Sequence, residues 1–169
     1  MGVEKESGNG YTSASGDEFA SYPLPGLLPD GHVLVLSNRL GLLSHLAPAG
    51  VTKWPHLLAQ EQFSASEVRV LVPLLEDYPD YCPYEKMLAS FTTGQVTEEA
   101  VTRARLRLQE AQFAGVWDYE MRPVRNILSH VRFKLRHFRI EVRSILETGY
   151  LLKPFAEETR AERNVSQEN

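Results

Sequence analysis

Hydrophobic residues recur at helical spacing in four segments of the chain, and this pattern predicts four helices. The first predicted helix follows Ser64, which forms the spacing of a capping box with Glu67, and it ends at Asp77. The second begins at Pro83, a residue suited to the first helical position, and it stops before Gly94. The start and stop signals of both helices therefore agree with the hydrophobic period.

The third and fourth predicted helices carry most of the charged residues. The third covers 97–114, with Thr97 as its N-cap and a narrow apolar stripe at Val101, Leu108 and Ala111. The fourth begins at Pro123 and extends to 137, and Trp117 and Tyr119 are expected in the connection before it. Its apolar face consists of Val124, Leu128, Val131 and Leu135. This spacing leaves the opposite face of the fourth helix to polar and basic residues.

Shorter apolar runs with a different period predict strands. The runs at 32–37 and 41–47 are read as two short strands, although a buried helix would also fit so apolar a stretch, and 48–55 is read as a loop. At 140–145 apolar and polar residues alternate, and 147–149 supply a turn in which Gly149 is available for a positive φ. Residues 150–152 are then expected to return as the second strand of a hairpin.

Composition indicates one domain with polar ends. Residues 1–30 are rich in Gly, Ser and Pro and are predicted to form a flexible arm, and 156–169 are predicted to be a disordered tail. The ordered domain is expected at 31–155, with a fold that is mainly α with a small β component (α+β). The apolar content of 43% is enough for a hydrophobic core.

Several functional classes are disfavoured by the sequence. The start of the chain lacks the pattern of a signal peptide, and no apolar run is long enough to cross a membrane, so a cytoplasmic protein is expected. The chain has one cysteine, Cys82, and its five histidines lack the spacing of metal ligands. No catalytic or phosphate-loop motif is found. We therefore expect a protein that is not an enzyme and that uses no metal or cofactor.

The charge distribution points to an anionic partner. The whole chain has a net charge of −4, whereas the stretch from Arg122 to Arg143 contains seven Lys and Arg and one acid, Glu141. Such a local concentration of cations is typical of nucleic-acid contact, although it could also form a solvated helix face paired with acids elsewhere.

Two segments resemble a known family. The segment VRNILSHVRFKLRHFRIEVRSILETGYLL, 124–152, resembles the C-terminal effector domain of OmpR/PhoB-type response regulators, and FSASEVRVLVPLLEDYPDYCPYEKML, 63–88, resembles the upstream part of the same domain. The positions that match the motifs of the family are Val124, Leu128, Val131, Arg132, Lys134 and Leu135 in the helix and Thr148, Gly149 and Tyr150 at the end of the wing. Since residues 1–62 precede the similar part, we expect no receiver domain in this chain.

The resemblance implies a winged helix-turn-helix that regulates transcription by binding duplex DNA. Helix 123–137 would enter the major groove, and the wing at 140–152 would contact the DNA backbone or the minor groove. Dimerisation on a repeated half-site is expected, because a single module buries limited surface. The implied location is the cytoplasm, in association with the nucleoid.

Ten side chains are predicted to contact DNA. The candidates for reading bases are Arg125, Asn126, Ser129, His130 and Arg132. The candidates for contacts with phosphates, from the helix and the wing, are Lys134, Arg136, Arg143 and Thr148, and Arg122 is a further candidate for DNA contact without a more specific role.

One departure from the family is an insertion at 92–121, which contains the third predicted helix. Its mixed charges fit a solvated face, or alternatively a docking surface for RNA polymerase or a second subunit. The acidic total charge and Glu147 in the wing favour a rival function, a protein-interaction module that has kept a winged-helix scaffold and lost DNA binding.

Overall fold

A four-stranded antiparallel sheet forms the first part of the fold in the computed structural model, which describes residues 18–156. Its strands β1 (Phe19–Tyr22), β2 (Val33–Ser37), β3 (Leu42–Ala47) and β4 (His56–Gln62) are neighbours in chain order. The side chains of Leu34, Leu36 and Leu43 point to one face of this sheet and are fully buried. The prediction of two short strands in this region and of a loop at 48–55 is confirmed.

The prediction of a flexible arm at 1–30 is wrong for the residues that the structure describes. Phe19 pairs with Ser37 across β1 and β2, so the first strand begins well inside the predicted arm. Leu24 and Leu28 are buried in the core, because this Pro- and Gly-rich turn still places apolar side chains against the helices. The rest of the predicted arm, 1–17, and the predicted tail from 157 onwards lie outside the described residues.

Three helices and a short strand follow the first sheet: α1 (Ala65–Asp77), β5 (Cys82–Pro83), α2 (Tyr84–Thr93) and α3 (Glu98–Phe113). The capping box of Ser64 and Glu67 is present, as is the Thr97 cap. Gly94 ends α2 with a left-handed φ of 73°. The predicted termini are confirmed, except that Pro83 pairs in β5 and precedes the first turn of α2.

The inserted helix α3 packs against α2 through small side chains. Its buried positions are Ala100, Ala104, Leu108 and Ala111. The predicted stripe is therefore correct at Leu108 and Ala111, whereas Val101 is only partly buried. Alanines occupy this face because they allow α3 to lie close to its neighbour.

The fourth helix, α4 (Trp117–Leu135), begins six residues before its predicted start at Pro123. Trp117 and Tyr119 thus belong to its first turn and do not lie in a connection. The extra turns are stable because Met121 is fully buried and Trp117 packs edge-on against Tyr84, with ring centroids 5.0 Å apart. Pro123 removes one helical hydrogen bond, the one to the carbonyl of the exposed Tyr119, which water can reach.

A short 3-10 turn (Arg136–Phe138) and an antiparallel hairpin of β6 (Ile140–Ile145) and β7 (Gly149–Pro154) complete the fold. The hairpin confirms the predicted strands, and β5 joins it to give a second sheet of order β5-β7-β6. The expected role of Gly149 is wrong, because Glu147 takes the positive φ of 58° in the turn. Gly149 is required for a different reason: a Cβ atom there would lie 2.0 Å from the carbonyl oxygen of Cys82.

The described part of the chain is a mixed α+β fold of four helices and two small sheets. The strand content is larger than predicted, since β1 and β4 add to the two expected N-terminal strands. The helices α1, α2 and α4 share one core with both sheets. No helix in residues 18–156 is both long and apolar enough to cross a membrane.

Candidate functional site

The fourth helix is held rigidly by its inner face. The side chains of Met121, Val124, Leu128, Val131 and Leu135 are all 0% exposed. Complete burial along about four turns fixes both the position of the helix and its rotation about its axis. The sequence prediction of this face is confirmed, and the direction of every polar side chain of α4 follows from it.

An exposed ridge runs along the side of α4 that is opposite the core. Arg122, Asn126, Ser129, His130 and Phe133 form this ridge, and all five are exposed. No acidic residue occurs between Glu120 and Glu141, so the chain places no carboxylate on the ridge itself.

The ridge residues have few constraints from the rest of the protein. The guanidinium of Arg122 lies over the ring of Tyr119, 5.7 Å from its centroid. The hydroxyl of Ser129 donates a hydrogen bond to the carbonyl of Arg125 at 3.0 Å. Phe133 is 64% exposed, which is unusual for a large aromatic side chain and makes it available for an apolar contact.

One flank of α4 faces the start of α1 and is closed by ionic contacts. Lys134 donates to the carbonyl oxygen of Gln62 and to the carboxylate of Glu67, both at 2.7 Å. His130 lies 3.7 Å from the other oxygen of that carboxylate. Lys134, which the sequence assigned to a phosphate, is therefore engaged within the fold, because α1 brings the buried Glu67 directly beneath it.

The electrostatics of Glu67 reflect this arrangement. Burial by itself raises the pKa of Glu67, but hydrogen bonds from Lys134 and from the Ser64 N–H, together with the positive charge of Lys134, outweigh burial and lower the pKa from its ordinary value. The carboxylate is thus ionised in the folded protein at neutral pH and joins the capping box of α1 to α4.

The other flank of α4 faces the hairpin. Arg132 donates to the carbonyl oxygen of Val142 at 3.1 Å and to the hydroxyl of Ser144 at 2.8 Å, so it fastens the helix to β6. Arg125 donates to the carboxylate of Asp118 at 2.6 Å and lies over the ring of Trp117, 5.2 Å from its centroid. Neither side chain points along the exposed ridge, in contrast to the prediction that both read bases.

The remaining predicted residues lie at the end of α4 and on the hairpin. Arg136 is exposed and lies 5.9 Å from the ring centroid of Phe155. Arg143 pairs with Glu141 at 2.9 Å on the surface of β6. The hydroxyl of Thr148 donates to the carbonyl of Leu146 at 3.1 Å within the turn. The tip of the hairpin is formed by Leu146, which is 86% exposed.

The combined segment of α4 and the hairpin remains cationic after its internal pairs are counted. Residues 117–154 contain eight Lys and Arg against four Asp and Glu, a net charge of +4 within a chain of −4. Surface pairs such as Arg143 with Glu141 are screened by water and leave both groups able to exchange partners. The segment is therefore a positive region on an otherwise acidic protein.

A cleft of about 1080 Å³ separates the first half of α4 from the hairpin. Tyr84, Trp117 and Tyr150 form its aromatic floor, and Arg125 and Arg132 lie along its helical wall. Sequence reasoning missed this site, because Tyr84 and Tyr150 come from segments far apart in the chain. The one available signal was the seven-residue spacing of Arg125 and Arg132, which places both on one side of a helix.

In residues 18–156 there is no group of three or more His, Cys, Asp or Glu side chains that could hold a metal ion. Comparisons of the chain with protein-family models, with curated proteins and with solved structures gave no significant match.

Proposed function

We propose that this protein binds duplex DNA as a winged helix-turn-helix regulator of transcription, with α4 in the major groove and the β6–β7 hairpin against the backbone or the minor groove. The order α1, α2, α4 and hairpin, with α3 inserted before the recognition helix, supports this proposal together with the resemblance to the OmpR/PhoB-type effector domain. The observation that carries it is the exposed ridge of α4, which is seated by a fully buried inner face and contains no acidic residue; the Glu67 carboxylate contacts it only at His130.

The ridge defines which side chains read bases. Arg122, Asn126 and His130 are exposed on the side of α4 that would face the groove. An arginine can bind guanine through two hydrogen bonds and an asparagine can bind adenine in the same way, each with about 1 to 3 kcal/mol of discrimination. Ser129 and Phe133 add a hydroxyl and an apolar surface suited to a thymine methyl group. Arg122 thus joins the proposed base readers, and Arg125 and Arg132 are no longer among them.

Phosphate contacts are assigned to exposed cations at the end of α4 and on the hairpin. Arg136, Arg143 and Lys153 are exposed there, and Thr148 can add a hydroxyl donor if its bond within the turn exchanges. With these three cations each neutralising a phosphate, log K should fall with log salt at a slope of about −2.7.

Further partners follow from the inserted helix. At the end of α3, Phe113 is 98% exposed, and Leu106 is 54% exposed on the face turned away from α2. This surface is available for RNA polymerase or for a second copy of the chain on a repeated half-site. A protein of this kind would act in the cytoplasm, in association with the nucleoid.

The test is a titration of random-sequence duplex DNA with the full chain at two salt concentrations, with binding measured by fluorescence anisotropy. Preferred sequences would then be selected from a random DNA library. We expect salt-dependent binding and a selected sequence motif. The double substitution Arg122→Ala and Asn126→Ala should remove the sequence preference. The matched control is Arg39→Ala, which removes a cation in the turn between β2 and β3, far along the chain from α4.

A second candidate function is a protein-interaction module, and it is favoured by the exposed Tyr119, Phe133 and Leu146. The pairing of Arg125 and Arg143 with carboxylates is also consistent with a surface that has lost the ability to bind DNA. If the protein does not bind DNA even at low salt, this result would support the second candidate function and overturn the first. A selected motif that is unchanged in the double variant would instead overturn the assignment of base readers.

A further inference from the structure

The cleft between α4 and the hairpin has the size of a small-molecule site. Its volume of about 1080 Å³ is slightly above the roughly 300 to 1,000 Å³ that is usual for ligand pockets. It is open on one side, so a ligand can enter without a movement of the backbone. Its lining combines three aromatic residues with several charged and polar side chains, which together offer a ring surface and hydrogen-bonding groups to a small organic molecule.

The floor of the cleft is an ordered aromatic surface. Tyr84 meets Trp117 and Tyr150 edge-on, with ring centroids 5.0 and 5.2 Å apart. The hydroxyl of Tyr84 donates to the carbonyl of Ile145 at 2.9 Å, and Tyr150 is only 3% exposed. These contacts hold the rings in place, so a flat apolar molecule would not have to order them on binding.

The wall of the cleft already holds a carboxylate. Arg125 donates to Asp118 at 2.6 Å, and the side chain of Asp118 is 80% exposed on the first turn of α4. A carboxylate from solution can take the place of this mobile side chain and form the same charge-assisted bond. Arg132 supplies a second guanidinium, which Val142 and Ser144 hold in position.

The charges around the opening restrict the ligand further. Asp118 and Glu147 both border the cleft, and they would repel a group with two negative charges such as a phosphate monoester. A ligand with a single carboxylate experiences less repulsion from these acids and can still pair with the guanidinium of Arg125. Burial raises the pKa of Tyr150, so its hydroxyl stays protonated and can donate to an acid in the cleft.

We propose that this cleft binds a small aromatic monocarboxylic acid, with its ring on Tyr84 and Trp117 and its carboxylate on Arg125 in the place of Asp118. This site shares Ser129 with the exposed ridge of α4 but none of the other ridge residues, and it does not depend on DNA binding by the protein.

The fluorescence of Trp117 provides a direct measurement. The chain contains two tryptophans, and Trp54→Phe leaves Trp117 as the only one. This variant would be titrated at neutral pH with benzoate, naphthalene-2-carboxylate and biphenyl-4-carboxylate, and calorimetry would give the affinity independently of any absorbance by the probe. The neutral alcohol of each acid serves as its isosteric control.

Two substitutions test the position of the carboxylate. Arg125→Gln should weaken the binding of the acid about tenfold or more, because it removes a charge-assisted bond. Asp118→Asn should strengthen binding severalfold, because it removes the competing carboxylate. Arg122→Gln is the matched control, since it removes the same charge from the exposed ridge of the same helix and should leave the affinity for the acid nearly unchanged.

The opposite results are equally clear. The proposal is overturned if none of the three acids binds in a saturable way, or if the alcohols bind as tightly as the acids. It is also overturned if Arg125→Gln and Asp118→Asn both leave the affinity of the acid unchanged while the proteins remain folded. Since no DNA is present in these titrations, their failure would leave the proposed function untouched.

Discussion

The two flanks of α4 carry basic residues in opposite circumstances. On the flank that faces α1, Lys134 is held by a buried carboxylate and a backbone carbonyl. On the flank that faces the hairpin, Arg125 and Arg132 border an open cleft, with Arg125 paired only to an exposed acid. The comparison shows that the net charge of a segment does not tell how many of its cations are available to a partner. The contacts that each cation makes within the fold determine whether it is available.

The difference between the flanks has a local cause. The capping box at the start of α1 buries Glu67 next to α4, and a buried carboxylate requires a cation. On the other side, α4 already begins at Trp117. The first half of the helix and the hairpin are separated by the cleft, which is lined by aromatic rings. One flank is therefore an element of stability and the other is a candidate site.

The largest expected effect on stability comes from Leu128, which packs in the core on the inner face of α4. Leu128→Ala removes a fully buried side chain and should lower the free energy of unfolding by about 3 to 5 kcal/mol. Urea denaturation would measure this loss. Phe133→Ala, on the exposed ridge of the same helix, should change the stability by about 0.5 kcal/mol or less. Equal effects of the two substitutions would contradict the orientation of α4.

A smaller effect is expected from the closed flank. Glu67→Gln keeps the shape of the side chain but removes the charge that Lys134 and the Ser64 N–H bind, and it should cost about 2 kcal/mol. The exposed Glu110→Gln is the control and should be nearly neutral. If urea denaturation showed no difference between the two variants, the carboxylate of Glu67 would not join α1 to α4.

The pH dependence sharpens the same comparison. Since the folded pKa of Glu67 lies below its ordinary value of 4.5, its contribution to stability is complete above that pH and is lost as the pH falls through the folded pKa. The difference in unfolding free energy between the wild type and Glu67→Gln should therefore shrink in urea titrations below pH 4.5. A difference that stayed constant down to the acid limit of folding would exclude an ionised Glu67 as its source.

The smallest effect on stability is expected from the surface of the hairpin. Arg143 and Glu141 form an exposed pair, so Arg143→Ala should change the free energy of unfolding by about 0.5 kcal/mol or less. If the hairpin contacts a phosphate, the slope of log K against log salt for duplex DNA should become less steep by about 0.9. An unchanged slope would remove Arg143 from the DNA contacts.

Local sequence signals predicted the parts of the fold that depend on local interactions. Ser64 with Glu67, Thr97 and Gly94 gave correct helix ends because caps act within one helical turn. The alternation at 140–145 gave the hairpin for the same reason. Pro123 was misleading, since its usual place at a helix start was overruled by the packing of Trp117 and Met121 in the preceding turns.

The predicted site residues lie on α4 and the hairpin, but they do not all share one exposed surface. Arg122, Asn126, Ser129 and His130 do lie on the exposed side of α4. Lys134 and Arg132 are engaged by Glu67 and β6, which no pattern within α4 could show, and Arg125 is engaged by Asp118 of the same helix. Each of these partners except Asp118 comes from another element.

The sequence by itself determined most of the helix ends, the C-terminal hairpin and the excess of positive charge in α4 and the hairpin, because periodicity, caps and residue type are local properties. Only the tertiary structure decided which cations are fixed inside the fold, that residues from Phe19 onward join a sheet, and that three distant aromatic residues meet in a cleft. These features depend on contacts between segments far apart in the chain, and such contacts exist only after the core has packed.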